Sequence, residues 1–179
     1  ILDAKRITAL CEDQEGNLWI GDRTKGLFKL NDGELTHLNS ETAALPSEIQ
    51  SLACGKDNTL WIGTSMNGLF RLRNHVLYHF READGCPEGQ IRAIHIDQDN
   101  TLWLAFGGRG IYRYKDNAFV GFTTNNGLPT NEISTIIDDE LGYLWFGSFN
   151  GIHRIAKSDI ENIASGNSKI LFIDSFDEA

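Results

Sequence analysis

Four short polar segments, each directly after a Leu-Trp strand, carry the residue types best suited to bind a ligand. They combine cations, amides, hydroxyls and aromatic rings, a mixture typical of sites for polar organic molecules. From them we select eight candidate binding residues: Arg23, Lys25, Ser65, Asn67, Phe106, Arg109, Phe149 and Asn150. The same segments would also serve as solvated turns, so the sequence leaves both roles open. Neither role requires a cofactor or a metal ion, and we assign none.

The histidines and acidic residues do not form a pattern typical of catalysis. The five histidines share no metal-ligand spacing, and the sequence has no Ser-His-Asp pattern or phosphate-binding glycine loop. We expect His95 and His153 to pack, because their repeat counterparts are mostly apolar or aromatic. The aspartate-rich segment 97–101 is the nearest to a calcium loop, but it lacks the central Gly and later Glu of an EF-hand. We interpret it as a hairpin turn.

The positions of the tryptophans define the elements that carry these residues. All four are spaced 42 residues apart: Trp19, Trp61, Trp103 and Trp145. Each follows a turn rich in Asp, Asn or Gly, and an isoleucine stands 12 residues earlier. Two further apolar runs follow each of the first three tryptophans. Four short strands per repeat of this length predict an all-β fold, a β-propeller of four-stranded antiparallel blades. We expect every tryptophan to be buried between neighbouring blades.

The repeats divide the chain without leaving a second domain. We predict one propeller segment over residues 1–179, with blades at about 7–48, 49–90, 91–132 and 133–176. The three prolines, Pro46, Pro87 and Pro129, precede the repeat isoleucines by three or four residues and mark the connections between blades. In the fourth repeat, Ser158 and Glu161 fit a capping box for a short helix. A delayed outer strand is expected at 170–173.

Composition narrows the possible partners. The net charge of −9 argues against a nucleic-acid surface. No apolar run is long enough to cross a membrane, and the start of the chain lacks the features of a signal peptide, so we expect no membrane contact by this segment. The three cysteines, Cys11, Cys54 and Cys86, have no metal-ligand spacing. We expect them to be free structural thiols.

The repeat resembles a known family. The run from the isoleucine through Leu-Trp-Ile-Gly to Gly-Leu-Phe-Arg-Leu closely resembles the two-component regulator propeller repeat. It recurs at residues 7–30, 49–72, 91–114 and 133–155. The resemblance implies the periplasmic or otherwise extracytoplasmic sensor region of a bacterial signalling protein, often a hybrid histidine kinase. It also implies a propeller that binds a small molecule or glycan fragment, and a ring of seven blades to which these four would contribute.

Two alternatives to a non-enzymatic sensor stay open. Streptogramin lyases are similar propellers that use a histidine, a glutamate and a magnesium ion, whereas this sequence has no dense cluster of such residues. Exposed aromatic residues on one rim would favour a protein-interaction scaffold. Four blades that do not close would also expose two blade faces. We therefore expect either a part of a longer propeller or self-association through the terminal blades.

Overall fold

The computed structural model describes residues 6–38 and 45–176 of the chain. Its strands form four sheets, each with four antiparallel strands that pair in chain order. Each sheet contains one of the tryptophans, in its second strand. The all-β propeller architecture predicted from the sequence is confirmed.

The strands of each blade are numbered in chain order. Blade 1 contains β1 (Ile7–Glu12), β2 (Leu18–Asp22), β3 (Gly26–Asn31) and β4 (Glu34–His37). Blade 2 contains β5 (Ile49–Cys54), β6 (Leu60–Thr64), β7 (Leu69–Arg73) and β8 (Val76–His79). Blade 3 contains β9 (Ile91–Ile96), β10 (Leu102–Phe106), β11 (Gly110–Lys115) and β12 (Ala118–Phe122). Blade 4 contains β13 (Ile133–Asp138), β14 (Tyr143–Ser148), β15 (Gly151–Ala156) and β16 (Ile173–Phe176).

An aspartate six residues before the tryptophan organises the first hairpin in three of the four blades. In blade 1, Asp13 Oδ1 accepts hydrogen bonds from the backbone N–H groups of Glu15 and Asn17, both at 3.0 Å. Asp13 Oδ2 accepts from the indole N–H of Trp19 at 2.8 Å. The same aspartate–indole bond recurs in blades 3 and 4, whereas blade 2 has Gly55 at this position. The aspartates thus serve the hairpins, as predicted, and also orient the tryptophan rings.

The hydrophobic core consists of three layers, one between each pair of neighbouring blades. Trp103 lies in the layer between blades 3 and 4 and is only 2% exposed. Trp19 and Trp61 pack against the following blade but are half-buried, and so is Trp145, which stacks on Phe176. The prediction that every tryptophan is buried is therefore wrong for three of them. The layer around Trp103 gains an additional cover from a helix of blade 4.

That helix, α1 (Lys157–Ala164), follows β15 directly. Its Ile160 is buried in the same core layer as Trp103. The predicted capping box is wrong, because the helix begins one residue before Ser158 and its N-cap, Ala156, has no side-chain bond. The outer strand starts at Ile173 rather than at residue 170, since the preceding segment instead buries Leu171 in the core.

Two short 3-10 turns, at Glu82–Asp84 and Thr124–Asn126, complete the described helical structure. Within the described ranges, no helix is long and apolar enough to cross a membrane.

Cys11 and Cys54 form a disulfide that joins blade 1 to blade 2. The prediction of three free thiols is therefore wrong for these two. They lie on facing surfaces of neighbouring blades, with their Cα atoms 5.9 Å apart, which is a normal separation for a disulfide. Cys86 is free and buried, and burial raises the pKa of its thiol to about 12.

The first strand of each blade is innermost. β1 packs on β5, β5 on β9 and β9 on β13, which places these four strands in a row around the axis. Among the described residues, β13 makes no comparable contact with β1, so the four blades form an open arc.

Candidate functional site

The candidate site lies at the axial end of the arc where the inner strands begin. In blades 1 to 3, the backbone N–H of the fourth residue after the tryptophan donates to the backbone carbonyl of the residue that stands 13 positions before the tryptophan. These bonds are Arg23 to Arg6 at 2.9 Å, Ser65 to Glu48 at 3.0 Å and Gly107 to Gln90 at 3.0 Å. The repeat therefore fixes two side-chain positions per blade at this end, one before the inner strand and one after the second strand.

In blade 1 this arrangement is organised by Asp22, which is fully buried. Its Oδ1 accepts from the backbone N–H of Thr24 at 2.7 Å and of Lys25 at 2.8 Å, and its Oδ2 accepts from the backbone N–H of Arg6 at 2.8 Å. Burial alone would raise the pKa of Asp22, but these hydrogen bonds and one from the Thr24 hydroxyl lower it to about 2. Asp22 thus stays ionised and holds the loop rigidly beside the start of β1.

Blades 2 and 4 use a hydroxyl where blade 1 has Asp22. Thr64 Oγ1 accepts from the backbone N–H of Asn67 at 2.9 Å, and Ser148 Oγ accepts from that of Asn150 at 3.0 Å. In blade 3 the position is occupied by Phe106, which has no polar atom in its side chain. The loop of blade 3 is held instead by backbone bonds from Gly108 and Gly110 to the carbonyl of Asn131 in the connection to blade 4.

Side chains from blades 1 to 3 surround an open cleft at this end, which we call the axial cleft. It is lined by Arg6, Arg23, Thr24, Glu48, Ser65, Met66 and Gln90. Blade 1 contributes two guanidinium groups, and within the described residues neither lies within 4.0 Å of a carboxylate. Blade 2 contributes a carboxylate, a hydroxyl and a thioether, and blade 3 an amide. The cleft can therefore bind an anionic group near blade 1 and hydroxyl groups near blades 2 and 3.

The structure brings two of the eight predicted site residues, Arg23 and Ser65, together in this cleft. Lys25 and Asn67 are exposed in the same loops but do not line it. Their backbone carbonyls accept hydrogen bonds from His37 and His79 of the outer strands, at 2.7 and 2.8 Å.

Phe106 does not line the cleft. It ends strand β10, is fully buried and packs edge-on against Tyr112, with ring centroids 5.1 Å apart. The prediction assumed that the loop begins directly after Ala105, whereas the strand continues for one more residue.

The remaining three predicted residues are exposed but lie outside the cleft. Arg109 lies beside Gly89 in the connection between blades 2 and 3. Phe149 and Asn150 form the tip of the β14–β15 turn of blade 4. A binding role for them stays a prediction.

The sequence analysis missed the residues that precede the inner strands, Arg6, Glu48 and Gln90. Each stands immediately before the repeat isoleucine, so the 42-residue period was the signal that could have found them. Gln90 is itself held by Arg92, whose Nε donates to its side-chain oxygen at 3.1 Å. Arg92 also pairs with Glu132, in the connection to blade 4, at 3.0 Å, which neutralises that carboxylate.

A second charged cluster lies at the opposite end of β9, between blades 3 and 4. Lys157 Nζ pairs with Asp138 and lies 3.2 Å from Asp97 Oδ2, and both carboxylates are almost fully buried. Asp97 also accepts from Trp103 and from two backbone N–H groups, and the sum of these donors outweighs burial and lowers its pKa. His95 lies beside this cluster. In the described ranges, no three His, Cys, Asp or Glu side chains are arranged to hold a metal ion.

His153 is buried in blade 4, as expected of a packing residue. Its Nδ1 lies 2.9 Å from Ser175 Oγ and its Nε2 lies 3.2 Å from Ser148 Oγ. Its ring packs against Phe146, with centroids 5.0 Å apart.

Comparisons with solved structures show the same fold in proteins of different function. The extracellular domain of BT3049 from B. thetaiotaomicron, assigned as a hybrid two-component system, aligns with a TM-score of 0.78 and 17% identity, over 98% of this chain and 25% of that chain. PorZ, a surface component of the type-IX secretion system of Porphyromonas gingivalis, aligns with a TM-score of 0.67 and 18% identity, over 95% of this chain and 27% of that one.

A catalytically inactive virginiamycin B lyase from Staphylococcus aureus, solved with quinupristin, gives a TM-score of 0.68 and 18% identity, over 96% of this chain and 56% of the lyase chain. This chain thus spans about a quarter of the first two proteins and about half of the third. No curated protein sequence matches it.

The sequence comparison with protein families is more specific than these structural likenesses. Residues 1–24 and 127–150 match the model of the two-component regulator propeller. The second match covers the connection into blade 4, its inner hairpin and the following turn, and the first covers the corresponding part of blade 1. The chain therefore carries the two-component regulator propeller repeat, on an arc of four propeller blades.

Proposed function

We propose that this chain is the sensory, ligand-binding part of a bacterial two-component-type signalling protein. Its axial cleft binds a small polar molecule or a glycan fragment and does not convert it to a product. The observation that carries this proposal is the axial cleft itself, where one repeated backbone frame presents a different side chain from each blade.

The chemistry of the cleft favours a ligand with several polar groups. Arg6 and Arg23 offer planar, bidentate donors for a carboxylate or sulfate. Gln90 offers an amide, which suits sugar hydroxyls, and the thioether of Met66 offers an apolar contact. Met66 is 69% exposed, so this contact is available at the surface of the cleft.

The same residues argue against turnover. Glycoside hydrolysis commonly uses a pair of carboxylates, and nucleophilic catalysis needs a nucleophile beside a base. Among the described lining residues, Glu48 is the one carboxylate, and Ser65 has no histidine near it. Binding without chemistry is what a sensor requires.

The alternative is a lyase, which the likeness in fold to virginiamycin B lyase keeps open. The position of His95, the histidine on an inner strand, argues against the lyase alternative. His95 lies at the end of β9 that is opposite to the axial cleft, so it cannot act on a ligand bound there. A metal-dependent lyase activity lost in a His95→Ala variant would favour this alternative.

An extracytoplasmic location fits the covalent structure. The disulfide between Cys11 and Cys54 is of the kind that persists in oxidising compartments and is rare in the cytosol. The BT3049 domain of the same fold is extracellular. We therefore place this propeller outside the cytoplasm, where it would meet its ligand.

The test is a binding screen by isothermal titration calorimetry with neutral and uronic-acid-containing di- and trisaccharides. A compound that binds the native chain is then titrated into Arg23→Ala, with Arg73→Ala as the matched control, because Arg73 is an exposed arginine paired with Asp57 far from the cleft. We expect Arg23→Ala to weaken binding by about 10-fold or more, as for other hydrogen bonds to charged groups, and Arg73→Ala to leave it unchanged. Equal affinities of all three proteins would show that the ligand binds elsewhere.

A further inference from the structure

The third strand of every blade carries a cation opposite the tryptophan. The register pairs each tryptophan with a lysine or arginine of the neighbouring strand: Lys29, Arg71, Arg113 and Arg154 in blades 1 to 4. In blade 3, Arg113 pairs with Glu161 at 3.0 Å, and in blade 4, Arg154 pairs with Asp174. Among the described residues, the guanidinium of Arg71 has no carboxylate within 4.0 Å and donates no hydrogen bond. It lies 5.5 Å from the ring centroids of Tyr78 and Phe80, so cation–π attraction holds it and leaves its N–H donors for a ligand.

An open cleft of about 420 Å³ lies beside Arg71, on the outer strands of blades 2 and 3. We call it the outer cleft. Besides Arg71, its lining includes Asp84, Asn117 and the rings of Tyr78, Tyr114 and Phe119. Among the described residues, none lines both this cleft and the axial cleft. A cleft of this size suits a small molecule.

Between blades 3 and 4, the chain itself fills the equivalent place with α1. Ile160 and Ile163 of this helix join the core layer between these blades, and Glu161 pairs with Arg113. The same layer contains the repeat equivalents of the three rings that line the outer cleft: Val120 for Tyr78, Ile155 for Tyr114 and Ile173 for Phe119. At this contact the chain thus places an apolar group and a carboxylate against the positions that are open in the outer cleft.

We propose that the outer cleft is a second binding site and that it binds a small carboxylate that carries a ring. The carboxylate pairs with the guanidinium of Arg71, as Glu161 does with Arg113. The ring of the ligand packs against Tyr78, Tyr114 and Phe119. These aromatic side chains stand where the contact between blades 3 and 4 has aliphatic ones, and their flat faces favour a flat ligand.

Hydrogen bonds hold the rim of the outer cleft in place before a ligand binds. The hydroxyl of Tyr78 donates to Asp84 Oδ1 at 2.8 Å, and that of Tyr114 donates to Asn117 Oδ1 at 3.1 Å. Asp84 Oδ2 accepts from the backbone N–H of Arg81 at 2.8 Å. Both oxygens of Asp84 are therefore engaged away from Arg71, which stays available to the carboxylate of a ligand. A rim fixed in this way lowers the entropic cost of binding.

The native chain is titrated with four small probes and followed by NMR at the side-chain Nε–H of Arg71. Benzoate and glucuronate each combine a ring with a carboxylate, whereas benzyl alcohol lacks the carboxylate and acetate lacks the ring. At least one ring carboxylate is expected to shift the Arg71 resonance saturably and to bind about 10-fold or more tightly than acetate and benzyl alcohol. The tighter of the two identifies the ring as aromatic or as a sugar. The methyl group of Met66 reports separately on the axial cleft, so a shift of Met66 alone would overturn the proposal.

A pair of variants tests the role of Arg71. Arg71→Met keeps an apolar stem over the rings and removes the guanidinium, and it is expected to weaken binding of the ring carboxylate by about 10-fold or more. Arg73→Met is the matched control, since Arg73 is exposed on the same strand and pairs with Asp57. Should Arg71→Met fail to fold, the contrast among the four probes in the native chain still decides. An unshifted Arg71 resonance with both ring carboxylates, acetate binding as tightly as they do, or an equal loss in both variants would overturn the proposal.

Discussion

His95 Nε2 lies 3.9 Å from Asp138 Oδ2 across the contact between blades 3 and 4. The two residues stand eight and seven positions before the tryptophans of their blades, as Cys11 and Cys54 do in blades 1 and 2. One pair of facing positions thus carries a covalent bond at one contact and a histidine beside a carboxylate at another. The inner hairpin has the same register in every blade, because the residue eight positions before the tryptophan pairs with the tryptophan. The fold therefore tolerates different residue pairs at these facing positions.

The environment of His95 predicts a pH dependence of stability. Burial lowers its pKa below the ordinary 6.5 in spite of the opposing effects of Asp138, Asp97 and Glu140, and Lys157 acts in the same direction as burial. The unfolded chain therefore binds this proton more readily than the folded chain. The free energy of unfolding consequently decreases as the pH falls below about 6.5 and levels off below the lowered pKa.

The measurement is urea unfolding at pH 7.5 and at pH 5. His95→Gln is expected to lose less stability than the native chain between these two values, because it has no proton to take up. His75→Asn is the control, since His75 lies in an exposed hairpin and has φ of 61°, which Asn tolerates. Identical pH dependence in His95→Gln and the native chain would refute this interpretation of His95.

The unequal burial of the tryptophans predicts unequal costs of removing them. Trp103→Ala should lower the free energy of unfolding by about 3 to 5 kcal/mol, since it empties a core layer and leaves Asp97 without one donor. Trp145→Ala should cost clearly less, because Trp145 is half-buried at the open end of the arc. Chemical denaturation followed by circular dichroism compares the two, and an equal loss would show that the end of the arc is covered.

The inter-blade disulfide should stabilise the chain measurably. It joins residues 43 positions apart, for which the chain-entropy model gives roughly 4 kcal/mol. We expect Cys54→Ser, or reduction of the native chain, to lower the urea midpoint. Thiol titration supplies the check on the pairing. The folded, unreduced chain should show no fast-reacting thiol, because Cys86 is buried with a raised pKa, and rapid labelling of Cys11 would argue against the bond.

The 42-residue period was sufficient to predict the blades, because strand positions in a repeat protein are set by the same local turns in every copy. It did not predict the disulfide for a geometric reason. The sequence comparison matched residues at equal repeat positions, and Cys11 and Cys54 occupy positions that differ by one. In the structure, residues that meet between neighbouring blades are offset by this one position. The sequence also did not predict that α1 covers Trp103, since this contact depends on where the helix packs and not on the local sequence.

The axial cleft was predicted in part. The loops after the second strands supplied Arg23 and Ser65, but polar residues before the inner strands were not considered, although the backbone bonds place them beside those loops. Phe106 was included as the first residue of the loop after the second strand, but this strand ends at the same repeat position in every blade, and in blade 3 that position holds a buried aromatic ring. Which of several equivalent loops converge on one cleft follows from the curvature of the arc, which sequence does not encode locally.

Met66 offers the most direct test of ligand binding in the axial cleft. It is the one methionine of the chain and it lines the cleft, so a chain labelled with ¹³C-methyl methionine reports on this site through one methyl resonance once any added initiator methionine is removed. Titration with an oligosaccharide found in the calorimetric screen should shift this resonance saturably, with the calorimetric affinity, and the saccharide signals should persist without new product signals. An unshifted Met66 methyl in the presence of saturating ligand, or the appearance of product, would contradict the proposal of a non-enzymatic sensor that binds its ligand in the axial cleft.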